Sequence, residues 1–429
     1  MAFDDEKGDL VIQILDMGQG EAIYIEFPNG KNMMVDFGST KGAGGYKVAP
    51  KDALTYLGKH SILGSTARLD YLVVTHPDAD HHNLVHRLVG ELKVTIGTIM
   101  YGGASKEYTR GTSNKDDVWT FGNLIDEAKK RGIEVLQPPH KLPFAWGHVL
   151  DFDDESRNKP LLFGGAEIVI AAVNTVPVTR KGEKSWQRNT PSLVMVLHYH
   201  GGMVMPTGDA THDTEARILA DFEAKKRMDW IKCDVLKLPH HGSTRTSNAP
   251  DFITAVNPNW VFVSSDRYGT ADPEKDKFTM YRLPQEITFD IVRQYASLDK
   301  VKRHPYVSYY DPRDYKEYKD PFRGRKKHPA QVKHDISQKL GLADFQKVVG
   351  KAAQWMGDDG KPAQWMMQWT EEGIFTTLAY MDAKQKGVDG SVADEGLQFE
   401  IRLSKTSKKL FTLTATQFKD NNENQVQIV

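Results

Sequence analysis

Apolar residues in this chain fall mostly in short runs separated by turn-forming residues. Residues 10–36, LVIQILDMGQGEAIYIEFPNGKNMMVD, break at Gly18-Gln19-Gly20 and at the hairpin dipeptide Asn29-Gly30, which predicts two or three strands. Similar runs predict strands at Leu69–Thr75, Val94–Tyr101, Glu167–Val173, Leu193–Tyr199, Met203–Pro206, Val235–Leu238 and Trp260–Ser264. Helical spacing covers Val118–Lys130 and Asp213–Lys226, the second opening on an acidic residue suited to a helix start. The mixture predicts an α/β protein whose sheets are covered by helices.

The pattern changes at Asp299–His334, a stretch holding Pro305, Pro312, Pro321 and Pro329 and rich in Tyr, Lys and Arg. Beyond it come a short helical pattern at Ile336–Ala352 and strand patterns at Gln364–Thr370, Ile374–Tyr380, Leu397–Leu403 and Lys409–Thr414. The expected organisation is therefore a main domain over 1–298, a basic Pro/Tyr-rich connector over 299–334 and a small, β-rich C-terminal domain over 335–429.

Composition narrows the chemistry. With 429 residues, 39% apolar and 26% charged, the chain can bury a large core and is not a disordered tail. Its single cysteine, Cys233, rules out an intramolecular disulfide and a thiolate metal cluster, so a metal site must use His and carboxylates. The acidic, polar start and the lack of an apolar run of roughly 18–20 residues lead to the expectation of a cytoplasmic protein with no membrane contact. A net charge of −1 says nothing global about nucleic acid, so any basic surface is local.

The informative segment is Leu72-Val73-Val74-Thr75-His76-Pro77-Asp78-Ala79-Asp80-His81-His82. A buried strand pattern ends at Thr75 and is followed at once by His76, Asp78, Asp80, His81 and His82, side chains that bind cations and would repel or desolvate one another without one. Two further strand ends carry donors: Thr207-Gly208-Asp209 closes the hairpin His198–Pro206, and Leu238-Pro239-His240-His241-Gly242-Ser243 follows the strand at Val235. Layered α/β folds bring such strand-end loops to a shared cleft.

His76-x-Asp78-x-Asp80-His81, Gly208-Asp209 and His240-His241-Gly242-Ser243, in that order, resemble the metallo-β-lactamase superfamily and, more narrowly, the ComEC/Rec2-like branch in its stand-alone form. Asp16-Met17-Gly18-Gln19-Gly20-Glu21-Ala22, Val35-Asp36-Phe37-Gly38 and Asn189-Thr190-Pro191-Ser192 are similar to other segments of that branch, so the likeness spans roughly residues 10–270. It implies a four-layer αββα sandwich with a site for two divalent metal ions, zinc or manganese, between the sheets. It also implies metal ligands His76, Asp78, Asp80, His81, Asp209 and His241, with His76 and Asp78 on one metal, Asp80 and His81 on the other, and Asp209 bridging. His240 is the alternative to His241, and His240, Asn189, Lys237 and Ser243 form a set able to serve either metal or substrate. The chain departs from the branch at His82-Asn83, where glycines are usual, and after Tyr268-Gly269, where Asp272 or His304 would have to replace a histidine.

Such a site lowers the pKa of water from about 15.7 to about 7, which makes hydroxide available at neutral pH, with Asp80 as the catalytic residue orienting it. The expected activity is that of a metal-dependent hydrolase, a phosphodiesterase or nuclease using metal-bound hydroxide at a dinuclear site. Lys237, Ser243, Thr244 and Arg245 lie around the last motif and are placed to hold a phosphate. Residues 300–333 hold 11 Lys and Arg against four acids, interleaved with Tyr306, Tyr309, Tyr310, Tyr315 and Tyr318, a composition suited to a nucleic-acid strand or another phosphodiester. Hydrolysis of a small-molecule ester, lactone or thioester is the first alternative, since fold does not decide substrate. A metal-deficient binding or regulatory module is the second.

Overall fold

A computed structural model describes residues 8–15, 17, 20–39, 68–90, 92–108, 120–137, 144–147, 163–179, 182–243, 246–264, 288, 291–292, 295–296, 374–376, 397–404, 411–419 and 422–427. In its first half the strands are β1 (Leu10–Ile14), β2 (Ile23–Glu26), β3 (Asn32–Val35), β4 (Arg68–Val74), β5 (Thr95–Tyr101), β6 (Glu134–Leu136), β7 (Phe144–Gly147) and β8 (Glu167–Ala172). They continue with β9 (Val194–Tyr199), β10 (Gly202–Met205), β11 (Val235–Lys237), β12 (Trp260–Val263), β13 (Ile374–Thr376), β14 (Leu397–Leu403), β15 (Phe411–Lys419) and β16 (Asn422–Gln427). Local chemistry explains the turns. Gly30 takes φ 79° in the β2–β3 hairpin, and His200-Gly201 take φ 47° and 86° in the two-residue β9–β10 turn, where positive φ matches the strand twist.

These strands form two sheets, one of nine strands in the order β16-β15-β14-β1-β2-β3-β4-β5-β6 and one of seven in the order β13-β12-β11-β10-β9-β8-β7. Alternation along each strand splits its side chains between two layers. Ile23, Ile25, Met33, Val35, Tyr71 and Val73 of the first sheet meet Ile168, Ile170, Met195, Leu197 and Phe262 of the second in a central core. The intervening Tyr24, Met34, Leu72 and Val74 face outward onto the helices Val85–Gly90 and Phe121–Lys130. Val169, Ala171, Val194 and Val196 likewise pack on the helices His212–Ala224 and Pro250–Val256. The layers run helix, sheet, sheet, helix, which is the expected αββα sandwich. No helix among the described residues is long and apolar enough to cross a membrane.

The domain expectation needs correction. β14 pairs antiparallel with β1 from Leu10↔Leu403 to Ile14↔Phe399, and β13 extends the second sheet alongside β12, so these late strands complete the two sheets instead of building a separate unit. The connector at 299–334, Ile336–Ala352 and Gln364–Thr370 lie outside the described residues.

Removing residues 397–429 should therefore prevent folding, because β1 loses its ladder and Ile401 and Leu403 take with them about 1.5–3 kcal/mol of burial each. Circular dichroism with urea unfolding of a chain ending at Gly396 checks this; a cooperative transition at the full-length midpoint would restore the separate-domain reading.

Candidate metal centre

β3 and β4 run parallel, as do β10, β11 and β12, so the segments leaving their carboxyl ends converge on one edge of the sandwich. Asp36 sits at the end of β3 with φ 57°, fully buried. Its carboxylate accepts the Thr75 amide (2.7 Å) and the Thr75 hydroxyl (2.7 Å), and it faces His81 Nδ1 at 2.7 Å. Asp78 caps the short helix Ala79–His82, accepting the Ala79 amide at 3.0 Å, and that turn carries Asp80 and His81 inward.

Three histidines have their ring protons assigned by their partners. The Thr75 hydroxyl spends its one hydrogen on Asp36, so it accepts from His76 Nδ1 at 2.9 Å. His81 Nδ1 donates to the Asp36 carboxylate, and His241 Nδ1 donates to the Ser264 carbonyl at 2.5 Å. A carbonyl or carboxylate behind one ring nitrogen orients the other as a ligand. All three Nε2 atoms then point at Asp209: His76 lies 3.7 Å from Oδ2, while His81 lies 3.2 Å and His241 3.6 Å from Oδ1. These Nε2 atoms and Asp209 Oδ1 are buried with no hydrogen-bond partner. Four orphaned donor atoms converging without a hydrogen bond among them fit a divalent cation, which satisfies all of them at once. Two overlapping groups emerge, His76-His81-Asp209 and Asp80-His81-His241, each with its ligand atoms within 4.8 Å of one another. His81 belongs to both, and Asp209 of the first group lies 3.6 Å from His241 of the second.

No family model matches the chain. Among curated proteins, ComE operon protein 3 of Bacillus subtilis (strain 168) is 24% identical over 262 residues, 60% of this chain. The match spans only 28% of that relative's length. The solved structures it resembles are metallo-β-lactamase-fold proteins and others at low similarity. YhfI from Bacillus subtilis, a metallo-β-lactamase fold protein, is 10% identical, covering 68% of this chain and 95% of that one with a TM-score of 0.36. CmlA from Streptomyces venezuelae, a diiron β-hydroxylase, is 14% identical, covering 60% and 45%, TM-score 0.34. A diphosphatase from the PhnP family is 12% identical, covering 60% and 87%, TM-score 0.31. The chain's own four layers and strand-end donors decide the matter. The architecture is an αββα sandwich consistent with the metallo-β-lactamase fold.

The donor set, imidazoles and carboxylates without thiolate, suits divalent cations. Burial raises the Asp209 carboxyl, but the charges of His81, His241 and His240 outweigh it and hold Asp209 well below the ordinary carboxylate range. Asp80 is likewise pushed up by burial and brought below that range by the facing His241 and by His81. Burial lowers His81 and His241, yet Asp209 with Asp36 raises His81 above its usual value, and Asp209 with Asp80 does the same for His241. His76 is lowered, by burial first and then by the positive charge of His81. Its Nε2 is a bare lone pair at neutral pH.

Of the expected ligands, His76, Asp80, His81, Asp209 and His241 come together, whereas Asp78 joins neither group. Asp78 faces Arg188 Nη2 at 3.7 Å and, with the Asn189 amide oriented to satisfy its neighbours, accepts from Asn189 Nδ2 at 3.3 Å. His240 stays at the rim, its Nδ1 2.7 Å from the Thr246 hydroxyl and its Nε2 3.6 Å from Asp209. Lys237 corrects a sequence expectation. It is 2% exposed, pairs with Glu21 and donates to the Gly208 carbonyl at 2.9 Å, so it is committed inside the protein and holds no substrate phosphate. Ser243 is buried too, while Thr244, Arg245, Tyr268, Asp272 and His304 lie outside the described residues. Sequence reasoning gave no role to Asp36, Glu21, Arg188 or Thr246. The signal for Asp36 was an acid directly after the apolar run Met33-Met34-Val35.

Replacing Asp36 with Asn removes the charge behind His81 and should weaken divalent-metal affinity about 10–100-fold. Calorimetric titration of chelator-treated protein with Zn²⁺ or Mn²⁺ measures it. Because His81 and His241 sit above their usual pKa, cation binding displaces their protons, so affinity should fall as pH falls; an affinity that rises toward acid pH would contradict the assignment.

Proposed function

We propose that the chain is a phosphodiesterase acting on nucleic acid or another phosphodiester. Divalent cations held by His76, His81, Asp209, Asp80 and His241, zinc or manganese by donor type, would supply Lewis acidity and lower the pKa of water. The protein's residues do the rest. His76, His81 and His241 keep fixed ring orientations because Thr75, Asp36 and the Ser264 carbonyl hold their Nδ1 sides. Asp80 is ionised and 14% exposed, so among the clustered carboxylates it reaches the cleft and can accept a hydrogen bond from the attacking water.

The observation that carries a phosphodiester over a neutral ester is Arg188. Its guanidinium stands beside Asp78 at the rim, 27% exposed, where a planar cation suits a non-bridging phosphate oxygen. Asn189, next in sequence, lies 3.4 Å from His240. The basic, tyrosine-rich segment at 300–333 supports a nucleic-acid substrate by composition.

Single- and double-stranded DNA, RNA and bis(p-nitrophenyl) phosphate, incubated with the protein in Mn²⁺ beside an Asp80→Ala/His81→Ala control, form the deciding panel. Phosphodiester cleavage lost in the control is expected. Cleavage confined to carboxylic esters, lactones or thioesters would replace the proposal, and fewer than one metal per chain after reconstitution would favour a binding module. Arg188→Gln should raise KM for the phosphodiester about tenfold, the value of one charge-assisted contact of ~1.4 kcal/mol.

A further inference from the structure

A third group of donors, Glu21, Asp36 and His81, lies behind the centre, fully buried. It meets a cation supplied by the protein. Lys237, at the end of β11, ion-pairs with Glu21, which lies between β1 and β2 in the other sheet; Glu21 Oε2 is also 3.8 Å from His81 Nδ1.

The same lysine holds both sides of the turn before Asp209. Its carbonyl accepts the Thr207 hydroxyl at 2.7 Å, and its ammonium donates to the Gly208 carbonyl at 2.9 Å. Gly208 takes φ 51° and packs so closely on Thr75 that a Cβ there would lie 2.7 Å from the Thr75 hydroxyl. On the opposite sheet, the Glu21 amide donates to the Asp80 carbonyl at 3.2 Å, and its carbonyl accepts the Gly38 amide at 3.1 Å. One end of the ion pair is thus tied to Asp80 and the other to the peptide preceding Asp209.

We infer that the buried Glu21–Lys237 pair is a positioning device that locks the Gly208-Asp209 turn across the two sheets and so sets where Asp209 meets the metal-binding histidines. Buried ion pairs contribute little net stability, and replacing both partners by neutral groups is often tolerated, whereas removing one leaves an uncompensated charge. That asymmetry separates positioning from mere support. The inference rests on the metal-centre reading.

Lys237→Met, Glu21→Gln and the double variant are compared with the wild type by thermal unfolding and by calorimetric titration of the chelator-treated full chain with Mn²⁺. Lys237→Met alone should melt well below the wild type. The double variant should recover the wild-type melting temperature to within a few degrees yet bind Mn²⁺ at least about tenfold more weakly, because the Gly208 carbonyl has lost its donor. Wild-type affinity in a folded double variant overturns the inference alone; a wild type that binds no Mn²⁺ or Zn²⁺ overturns the metal reading along with it. If the double variant does not fold, Lys237→Arg keeps the charge and moves the donor. It should melt near the wild type with the same loss of affinity, and unchanged affinity there overturns the inference.

Discussion

The site depends on one buried carboxylate, Asp36. Three donors surround it within 2.7 Å each, and each belongs to a different requirement of the fold. The Thr75 amide ties the end of β4 to the end of β3. The Thr75 hydroxyl, by giving its hydrogen to Asp36, forces His76 to donate from Nδ1. His81 takes its orientation from the same carboxylate. Burial pushes the Asp36 carboxyl up and His81 opposes it, so the acid and the imidazole hold each other in place. An isosteric amide would fill the same space without this ordering of protons.

The sandwich then positions two such half-sites against each other. His76, Asp80 and His81 come from the first sheet's edge, Asp209 and His241 from the second, and the interface between the sheets is otherwise apolar. Several polar ties cross it beside the centre: Ser264 donates to the Gly20 carbonyl at 2.7 Å, the Leu193 amide to the Thr75 carbonyl at 2.9 Å, and Lys237 meets Glu21. Apolar packing is non-directional and tolerates sliding, while hydrogen bonds do not. The polar ties therefore fix the distance between half-sites that the core alone would leave loose.

Much of this was legible in the sequence, for identifiable reasons. The strand Leu69–Thr75 followed by His76-x-Asp78-x-Asp80-His81 announces donors because charged groups packed after a buried strand need a partner, and five of the six residues expected as ligands, His76, Asp80, His81, Asp209 and His241, lie close together. What failed involved long-range pairing. Gln13 bonds Glu400 across 387 positions, and no local pattern reveals that β14 belongs beside β1. Lys237 reads as an exposed cation because its buried partner, Glu21, sits in the opposite sheet. The resemblance implies Asp78 as a ligand, but it is silent on the cap of Asp78 to Ala79 and its approach to Arg188.

The last loop shows where the fold concentrates its strain. His240 and His241 both adopt left-handed backbone, φ 48° and 50°, a conformation that costs about 1–3 kcal/mol per non-glycine residue. Glycine would relieve that cost but supplies no imidazole. The compensation lies in the neighbouring Asn248, whose side-chain amide donates to the Pro239 carbonyl at 3.1 Å and the Ser243 carbonyl at 3.0 Å, closing the loop from both ends. Glu215, buried in the first turn of the helix His212–Ala224, accepts the amides of Asn248 (2.5 Å) and Ala249 (3.0 Å). A helix packed on the outer face of the second sheet thus holds the strained turn that aims His241 at Asp80 and Asp209. Geometry at the centre is set by elements that never touch it.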